Sequence, residues 1–256
     1  MTLVINIGNT NLTLALADET TLTSTRIPIG SFTDPTAAVA LLKPILTGET
    51  LTACTISTVV PEKNPFITAA VEILAGITPQ IITHEQIALD CTSYQTKAGI
   101  DRLLCCEVLY AEHQAPCLLF DLGTATTANV VDAQGSFLGG AITAGVALGL
   151  EALRSGTSQL DFPTRETALV QLIGTDMNAC MTTGATLSAA GFLIYYREKI
   201  AAHLGATPHT VITGGNAPCI LPHLPPAFIH RPNLLLEGIL RHTKSFSKEG
   251  NTNEKC

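Results

Sequence analysis

Two short stretches of this chain share one make-up: Ile5–Asn11, reading INIGNTN, and Phe120–Thr126, reading FDLGTAT. Each runs from apolar residues into a short acid or amide, then one residue, a glycine, and a cluster of small hydroxyl and amide side chains. The acid or amide is Asn6 in the first copy and Asp121 in the second. A strand entering such a turn presents backbone N–H groups where glycine permits close approach, so it can cradle phosphate oxygens without a basic residue. Either turn alone reads as an ordinary hairpin, since Gly and Asn are common turn formers. Two copies at equivalent positions, with a later TGGN at Thr213–Asn216, favour phosphate binding. Two such turns facing one another across a cleft could hold a nucleoside triphosphate.

A third stretch, KAGIDRLL, sets Asp101 after a glycine turn at the start of a helical pattern, with Arg102 beside it. Such a carboxylate can be a simple helix cap, kept at low pKa and ionised by the helix N-terminus. It can also be a base that receives a hydroxyl proton while Arg102 holds an anionic or polar substrate. Phosphoryl transfer asks little more of a protein than positioning and charge compensation. The competing signatures are missing: the sequence has no GxxxxGK[ST], no GxGxxG after a strand and no GxSxG. P-loop kinases, Rossmann dehydrogenases and elbow-type serine hydrolases therefore lack their local signals.

The strands and helices around these turns alternate in a regular order. Residues 3–29 predict three antiparallel strands around the first turn. A helix over 34–46 follows, with Asp34 as cap and Pro35 at its first position. Then come a strand in 51–61 ended by Pro61, a helix over 63–76 stopped by Gly76, a short strand in PQIIT, and a helix over 101–114. The opening pattern then repeats in CLLFDLG, TATTANVVDAQG and SFLGGAI, followed by helices near 143–154 and 176–204, a strand in TVITGGN and a helix in NLLLEGILRHTK. Both halves start with three strands and continue with alternating helices and strands, which reads as an internal duplication with its seam near Gln114–Cys117. The expected division is 1–114, 115–244, and a polar tail at 245–256.

The bulk numbers agree with a folded α/β protein. The 256 residues are 46% hydrophobic and 14% charged, with a net charge of -7. No run of Lys or Arg offers a surface for nucleic acid, and the longest apolar stretches are too short to span a bilayer. The opening residues lack a basic segment ahead of an apolar one, so a cytoplasmic location is the default. The eight cysteines show no CxxC, and the scattered histidines no HExxH. The cysteines read as reduced, buried small hydrophobes, and no zinc site is expected.

Taken together, IGNTN, STVVP at 57–61, GIDR at 99–102, DLGTATT at 121–127, GSFLGGAITAG at 135–145, TGG at 213–215 and LLLEGI resemble the type III pantothenate kinases. These belong to the superfamily of actin, sugar kinases and a class of heat-shock chaperones. The resemblance implies duplicated ribonuclease-H-like domains with a cleft between them. It also implies ATP-dependent phosphorylation of pantothenate to 4'-phosphopantothenate, the first step toward coenzyme A. On that likeness Asp101 is the proton acceptor, and Tyr94, Gly99, Ile100, Asp101 and Arg102 line the pantothenate pocket. Asn6, Ile7, Gly8, Asn9, Thr10, Asn11, Leu12 and Thr13, with Thr124, hold the ATP phosphates. Asp121 binds a monovalent cation, potassium or ammonium, and Mg²⁺ arrives with ATP. A homodimer is implied as well. The chain departs from the family pattern at Asn6, usually Asp, and at Asn129, which stands where a T-x-D motif commonly ends. Cys105 stands near a usual asparagine, and Met177 replaces a threonine. SYQTKAGIDR is short and lacks an Asn-Pro, so Tyr94 is a displaced equivalent. A degenerate paralogue that binds nucleotide or protein without turnover, and a kinase for another small alcohol, stay open as alternatives.

Overall fold

A computed structural model describes residues 1–18, 20–158 and 170–252. The chain divides into two compact units, and neither is continuous in sequence. Unit 1 gathers Met1–Ala88, Ala98–Val108 and the chain from Leu234 onward, while unit 2 gathers Leu89–Lys97 and Leu109–Asn233.

In unit 1, Leu3, Ile5 and Ile7 alternate with Val4 and Asn6 along β1 (Thr2–Ile7), so the strand is buried on both faces. It pairs antiparallel with β2 (Asn11–Ala17), which pairs with β3 (Leu22–Pro28). The chain then forms α1 (Pro35–Leu46), and the cap reading holds: Ala37 N–H donates to Asp34 Oδ1 at 2.9 Å. This satisfies one of the free donors of the helix start. Next come β4 (Ala53–Thr58), parallel to β1, and α2 (Asn64–Ala75), ended by Gly76 in the left-handed region at φ 68°. Then β5 (Gln80–Ile81) closes the sheet in the order β3-β2-β1-β4-β5. One face packs Leu3, Ile5 and Ile7 with Ala38 and Leu42 of α1 and Ile67 and Val71 of α2. On the other face, Val4 and Ala15 meet Ile100 and Leu104 of α3 (Ile100–His113).

Unit 2 repeats this plan. The strands β6 (Cys117–Leu122), β7 (Ala125–Val131) and β8 (Phe137–Ala144) form the antiparallel meander. After α4 (Val146–Gly156) and α5 (Met177–Leu204), β9 (His209–Thr213) pairs parallel with β6. A short α6 (Ala217–Ile220) leads to β10 (Ile229–His230), and the order is β10-β9-β6-β7-β8. Read from the meander inward, both sheets have the same topology strand for strand. The helix expected from Thr143 begins only at Val146, because β8 keeps its pairing with β7 as far as Ala144 opposite Ala125. The short α6 and β10 have no periodicity long enough to announce them.

Two segments leave the linear order expected at 114/115. Residues 89–97 belong with unit 2, where Asp90 N–H donates to Gly135 O and Phe137 N–H to Asp90 O. The final helix, α7 (Leu234–Thr252), belongs with unit 1, because Leu236 and Ile239 bury against Val4 and Ala15. Two polar ties fasten it there. His242 Nε2 bonds Glu107 Oε2 at 2.6 Å with both residues buried, and Thr243 Oγ1 donates to Thr55 Oγ1 at 2.8 Å. The expected tail at 245–256 continues helically to Thr252, and residues 253–256 lie outside the described residues. Cys54, Cys105, Cys106 and Cys117 are buried as expected, whereas Cys91 and Cys219 are half-buried and Cys180 is exposed; burial pushes the Cys54 and Cys117 thiols up to about 12. Such thiols pack as small hydrophobes rather than react.

Candidate functional site

The site residues fall into two sets, one in each unit. Unit 1 holds Asn6–Thr13 and Gly99–Arg102; unit 2 holds Tyr94, Asp121 and Thr124.

In unit 1, β1 ends at Ile7 and the chain turns through Gly8–Asn11 before Leu12 pairs back opposite Ile7. Gly8 N–H donates to Asn11 O at 3.0 Å, and Ile29 N–H to Thr10 O at 2.8 Å, which fixes the turn. Asn6 lies opposite Thr13 on β2 and opposite Ser57 on β4. Residues paired in a ladder share a face, so Thr13, Asn6 and Ser57 stand in a row. Asn6 is buried, and its Oδ1 has no hydrogen-bond partner among the described residues; nor has Ser57 Oγ.

Asp101 sits at the second position of α3, so it is not the cap residue itself. Its Oδ1 accepts the Arg102 N–H at 2.8 Å. That fold-back is possible because residue 99 is glycine: a Cβ there would stand 2.5 Å from Asp101 Oδ1. The same Cβ would meet Val59 Cγ1 at 3.7 Å, which sets Gly99 beside the end of β4. The low pKa expected from the helix terminus is overturned. Desolvation raises the Asp101 pKa, outweighing the Arg102 backbone hydrogen bond and the Arg102 charge that lower it. A carboxyl shifted upward is a better proton acceptor.

In unit 2, the second turn is shorter. Leu122 pairs with Thr126, leaving Gly123–Ala125 between them, one residue fewer than in the first copy. Asp121 lies opposite Thr127 on β7 and Thr213 on β9, the same three-in-a-row register as Thr13, Asn6 and Ser57. The backbone closes tightly on this turn. Gly145 N–H donates to Thr124 O at 3.0 Å, Asn216 N–H to Leu122 O at 2.9 Å, and Asn216 Nδ2 to Gly123 O at 3.1 Å. Gly214 has φ 94°, and a Cβ there would lie 2.5 Å from both Asp121 Oδ1 and Leu122 N. Thus the TGG stretch is the wall against which the acidic turn is packed. Asn129 is fully buried and its Nδ2 donates to Thr127 Oγ1 at 3.1 Å.

Tyr94 is half-buried, its ring meeting Phe137 edge-on at 5.3 Å between centroids. An apolar cavity of about 640 Å³ in the same unit is lined by Val146, Leu153, Met177, Met181 and Phe192, among others. None of the expected substrate residues lines it, whereas Met177, at 43% exposure, does. Ser57, Thr127 and Thr213 stand beside Asn6 and Asp121, and reading along the sequence does not single them out. Their signal lies in strand pairing, because each flanks the amide or acid only across a ladder.

The sequence model of the type III pantothenate kinases matches residues 2–199. The chain belongs to this family. A type III pantothenate kinase of Desulfosudis oleivorans is 30% identical over 248 residues, covering 93% of this chain and 97% of that protein. One from Rhodopirellula baltica is 32% identical over 168 residues, covering 63% of this chain. That match spans 60% of the Rhodopirellula protein, less than two thirds of its length. Among solved structures, a ROK family glucokinase of Streptomyces griseus superposes with a TM-score of 0.56 at 11% identity, over 95% of this chain and 99% of its own. The likeness in fold agrees with the doubled sheet: both units are ribonuclease-H-like α/β domains of the actin and sugar-kinase type. No helix among the described residues is long and apolar enough to cross a membrane.

Proposed function

We propose that this chain transfers the γ-phosphoryl group of ATP to the primary hydroxyl of pantothenate, giving 4'-phosphopantothenate and ADP for coenzyme A synthesis. Membership of the family supports the reaction, and the desolvated carboxyl of Asp101 carries it. In the step, the substrate hydroxyl oxygen bonds the γ-phosphorus and the bond to the β,γ-bridging oxygen breaks. The hydroxyl proton passes to Asp101, and ADP leaves. A raised pKa makes Asp101 a stronger base than an ordinary aspartate. Arg102 adjoins it in sequence and would hold the pantothenate carboxylate, with Gly99 and Ile100 beside it in unit 1; Tyr94, in unit 2, is proposed as a further substrate-binding residue.

The residues proposed to meet phosphate are Asn6–Thr13 in unit 1, which span the Gly8–Asn11 turn between paired strand ends, and Thr124 in unit 2. Asp121, flanked by the hydroxyls of Thr127 and Thr213, is an oxygen set suited to a monovalent cation, potassium or ammonium. Around Asn6 the donors are neutral oxygens, which fit the hydration shell of Mg²⁺ better than the bare ion. Mg²⁺ entering with ATP would offset the charge on the phosphates. Ile142, Leu148 and Leu153 are each exposed on unit 2, apolar surface that a homodimer, proposed from the family likeness, would help to cover. A cytoplasmic location follows from the same reading.

The test is ATP-dependent phosphate transfer to pantothenate with potassium present. Turnover that Asp101→Asn removes is the expected result; folded protein without turnover, indifferent to that substitution, rejects it. The reading of a binding module without chemistry draws on the neutral Asn6 and on Met177 in the cavity wall. Nucleotide binding with no transfer to any alcohol would favour it. Sugars and short polyols assayed beside pantothenate distinguish a kinase for another small alcohol.

A further inference from the structure

The face of unit 1 that carries Asn6 also carries Thr55 and Ser57, which alternate with inward residues along β4. Thr55 Oγ1 accepts a hydrogen bond from Thr243 of α7, so that hydroxyl is satisfied within the protein. Two residues on, fully buried Ser57 has no such partner, and Asn6 beside it leaves Oδ1 equally unpartnered. Buried polar atoms are nearly always paired, and leaving them unpaired is unfavourable. Two adjacent cases in one register, next to a glycine turn, point to a ligand.

The chemistry of the two atoms restricts what that ligand can be. An amide oxygen only accepts, so the atom meeting Asn6 Oδ1 must carry a proton or be a cation; an ionised phosphate oxygen is excluded there. Neighbouring strands run roughly 4.8 Å apart. One oxygen hydrogen-bonded at about 2.8 Å to both side chains spans that separation. Two neutral donors lend no charge to strip a small divalent ion of its water, and Mg²⁺ gives up its waters reluctantly.

We infer that Ser57 and Asn6 together hold a water of hydrated Mg²⁺ at the first turn, which makes Ser57 a positioning residue for the metal that accompanies nucleotide. This rests on the nucleotide reading proposed above. It also accounts for the amide: where the acidic turn would bring a charge, this chain offers a neutral pair.

The experiment is calorimetric titration of a non-hydrolysable ATP analogue into the full chain at a series of Mg²⁺ concentrations, and once in EDTA. Wild type is compared with Ser57→Ala and with Ser57→Thr, since Thr213 occupies the equivalent register in unit 2. Half-saturating Mg²⁺ should rise about tenfold in Ser57→Ala, the usual size of an outer-shell loss. Affinity in EDTA should match wild type, and Ser57→Thr should restore the metal dependence. A Mg²⁺ dependence in Ser57→Ala equal to wild type overturns the inference while leaving nucleotide binding intact, as does metal-independent binding by wild type. No analogue binding by wild type at any Mg²⁺ concentration removes the nucleotide reading and this inference with it. Should Ser57→Ala not fold, Ser57→Cys, close in volume, is read by the same two outcomes.

Discussion

In unit 1, Asn6 stands between Thr13 and Ser57; in unit 2, Asp121 stands between Thr127 and Thr213. The strand order around each is the same, yet the two turns are built to different tolerances. The second has three residues between its paired ends, and Gly145, Gly214 and Asn216 close on it. The first has four, and at the register of Gly214 it carries Thr58 instead. At the shared turn glycine the order reverses: a Cβ at Gly8 would stand 3.1 Å from Asn11 O, and one at Gly123 no nearer than 3.6 Å to Ala125 O. The tight closure of the second copy therefore comes from Gly145 and Gly214 around it. Duplication therefore preserved the ladder while the ends of the strands diverged. The charged copy is clamped by backbone, and the neutral copy keeps two polar atoms unsatisfied. The proposed base, Asp101, is an addition that unit 1 carries.

The largest effect should come from that addition. Asp101→Asn should lower turnover by about 10²–10⁴-fold, the range typical of losing a general base. The acid limb of the wild-type kcat/KM profile should lie above the ordinary aspartate range, because the carboxyl must ionise at its raised pKa. Stability follows the opposite sign. With the folded pKa above the unfolded one, the stabilising contribution is complete below the ordinary aspartate pKa and is lost as pH rises through the raised value. Asp101→Asn should therefore melt at or above the wild-type temperature at neutral pH, and the gain should fade on acidification. Melts of both proteins across pH check this; a variant clearly less stable at pH 7 would mean that Asp101 serves structure first.

Next in size is the clamp on the second copy. Gly214→Ala places a Cβ 2.5 Å from Asp121 Oδ1 and Leu122 N at φ 94°. Strain at a positive φ and steric overlap each reach about 1–3 kcal/mol. Denaturant unfolding should show a loss of that order, with weakened potassium activation. Thr58→Ala, the matching position in the first copy, should lose far less. Equal losses at the two positions would erase the contrast in tolerance.

Asn6→Asp probes the other side of the comparison. A carboxylate placed in that buried row without a cation should reduce stability by about 1–3 kcal/mol in the absence of nucleotide. Mg²⁺ with an ATP analogue should recover the loss, and the Mg²⁺ requirement should fall. A variant as stable as wild type, with unchanged Mg²⁺ dependence, would show that the row does not face the metal.

Much of this could be read along the chain. The repeat, the capped α1, the Gly76 stop and the start of α5 at Asp176 all rest on local signals: turn glycines, Pro35, cap carboxylates and helical spacing. What stayed hidden is what depends on pairing or burial. Nothing local tells α7 to join unit 1, since its apolar stripe would suit either sheet; Thr243 and His242 become informative only opposite Thr55 and Glu107. The same holds for Ser57, whose meaning comes from Asn6 across the ladder. The GIDR motif singles out Asp101, but helix position predicts the wrong pKa direction, because it argues for ionisation while desolvation, invisible in sequence, argues against it and is larger.

The smallest effect concerns how each copy launches the helix after its meander. In unit 1 the start of α1 is satisfied by Asp34, and Pro35 removes one donor that would otherwise need a partner. In unit 2 the N-cap of α4 is Gly145, which offers no side-chain cap and is pressed against the backbone of Gly123 and Thr124. The second copy thus gives up a cap to close its turn, whereas the first keeps the two tasks on separate residues. Asp34→Ala should then reduce stability by about 1 kcal/mol, the usual weight of a cap. Nucleotide affinity and Mg²⁺ dependence should stay at wild-type values, measured by the same titrations used for Ser57. If the cap variant shifts the Mg²⁺ dependence as Ser57→Ala does, α1 and the first turn behave as one element, and the separation of tasks between the copies fails.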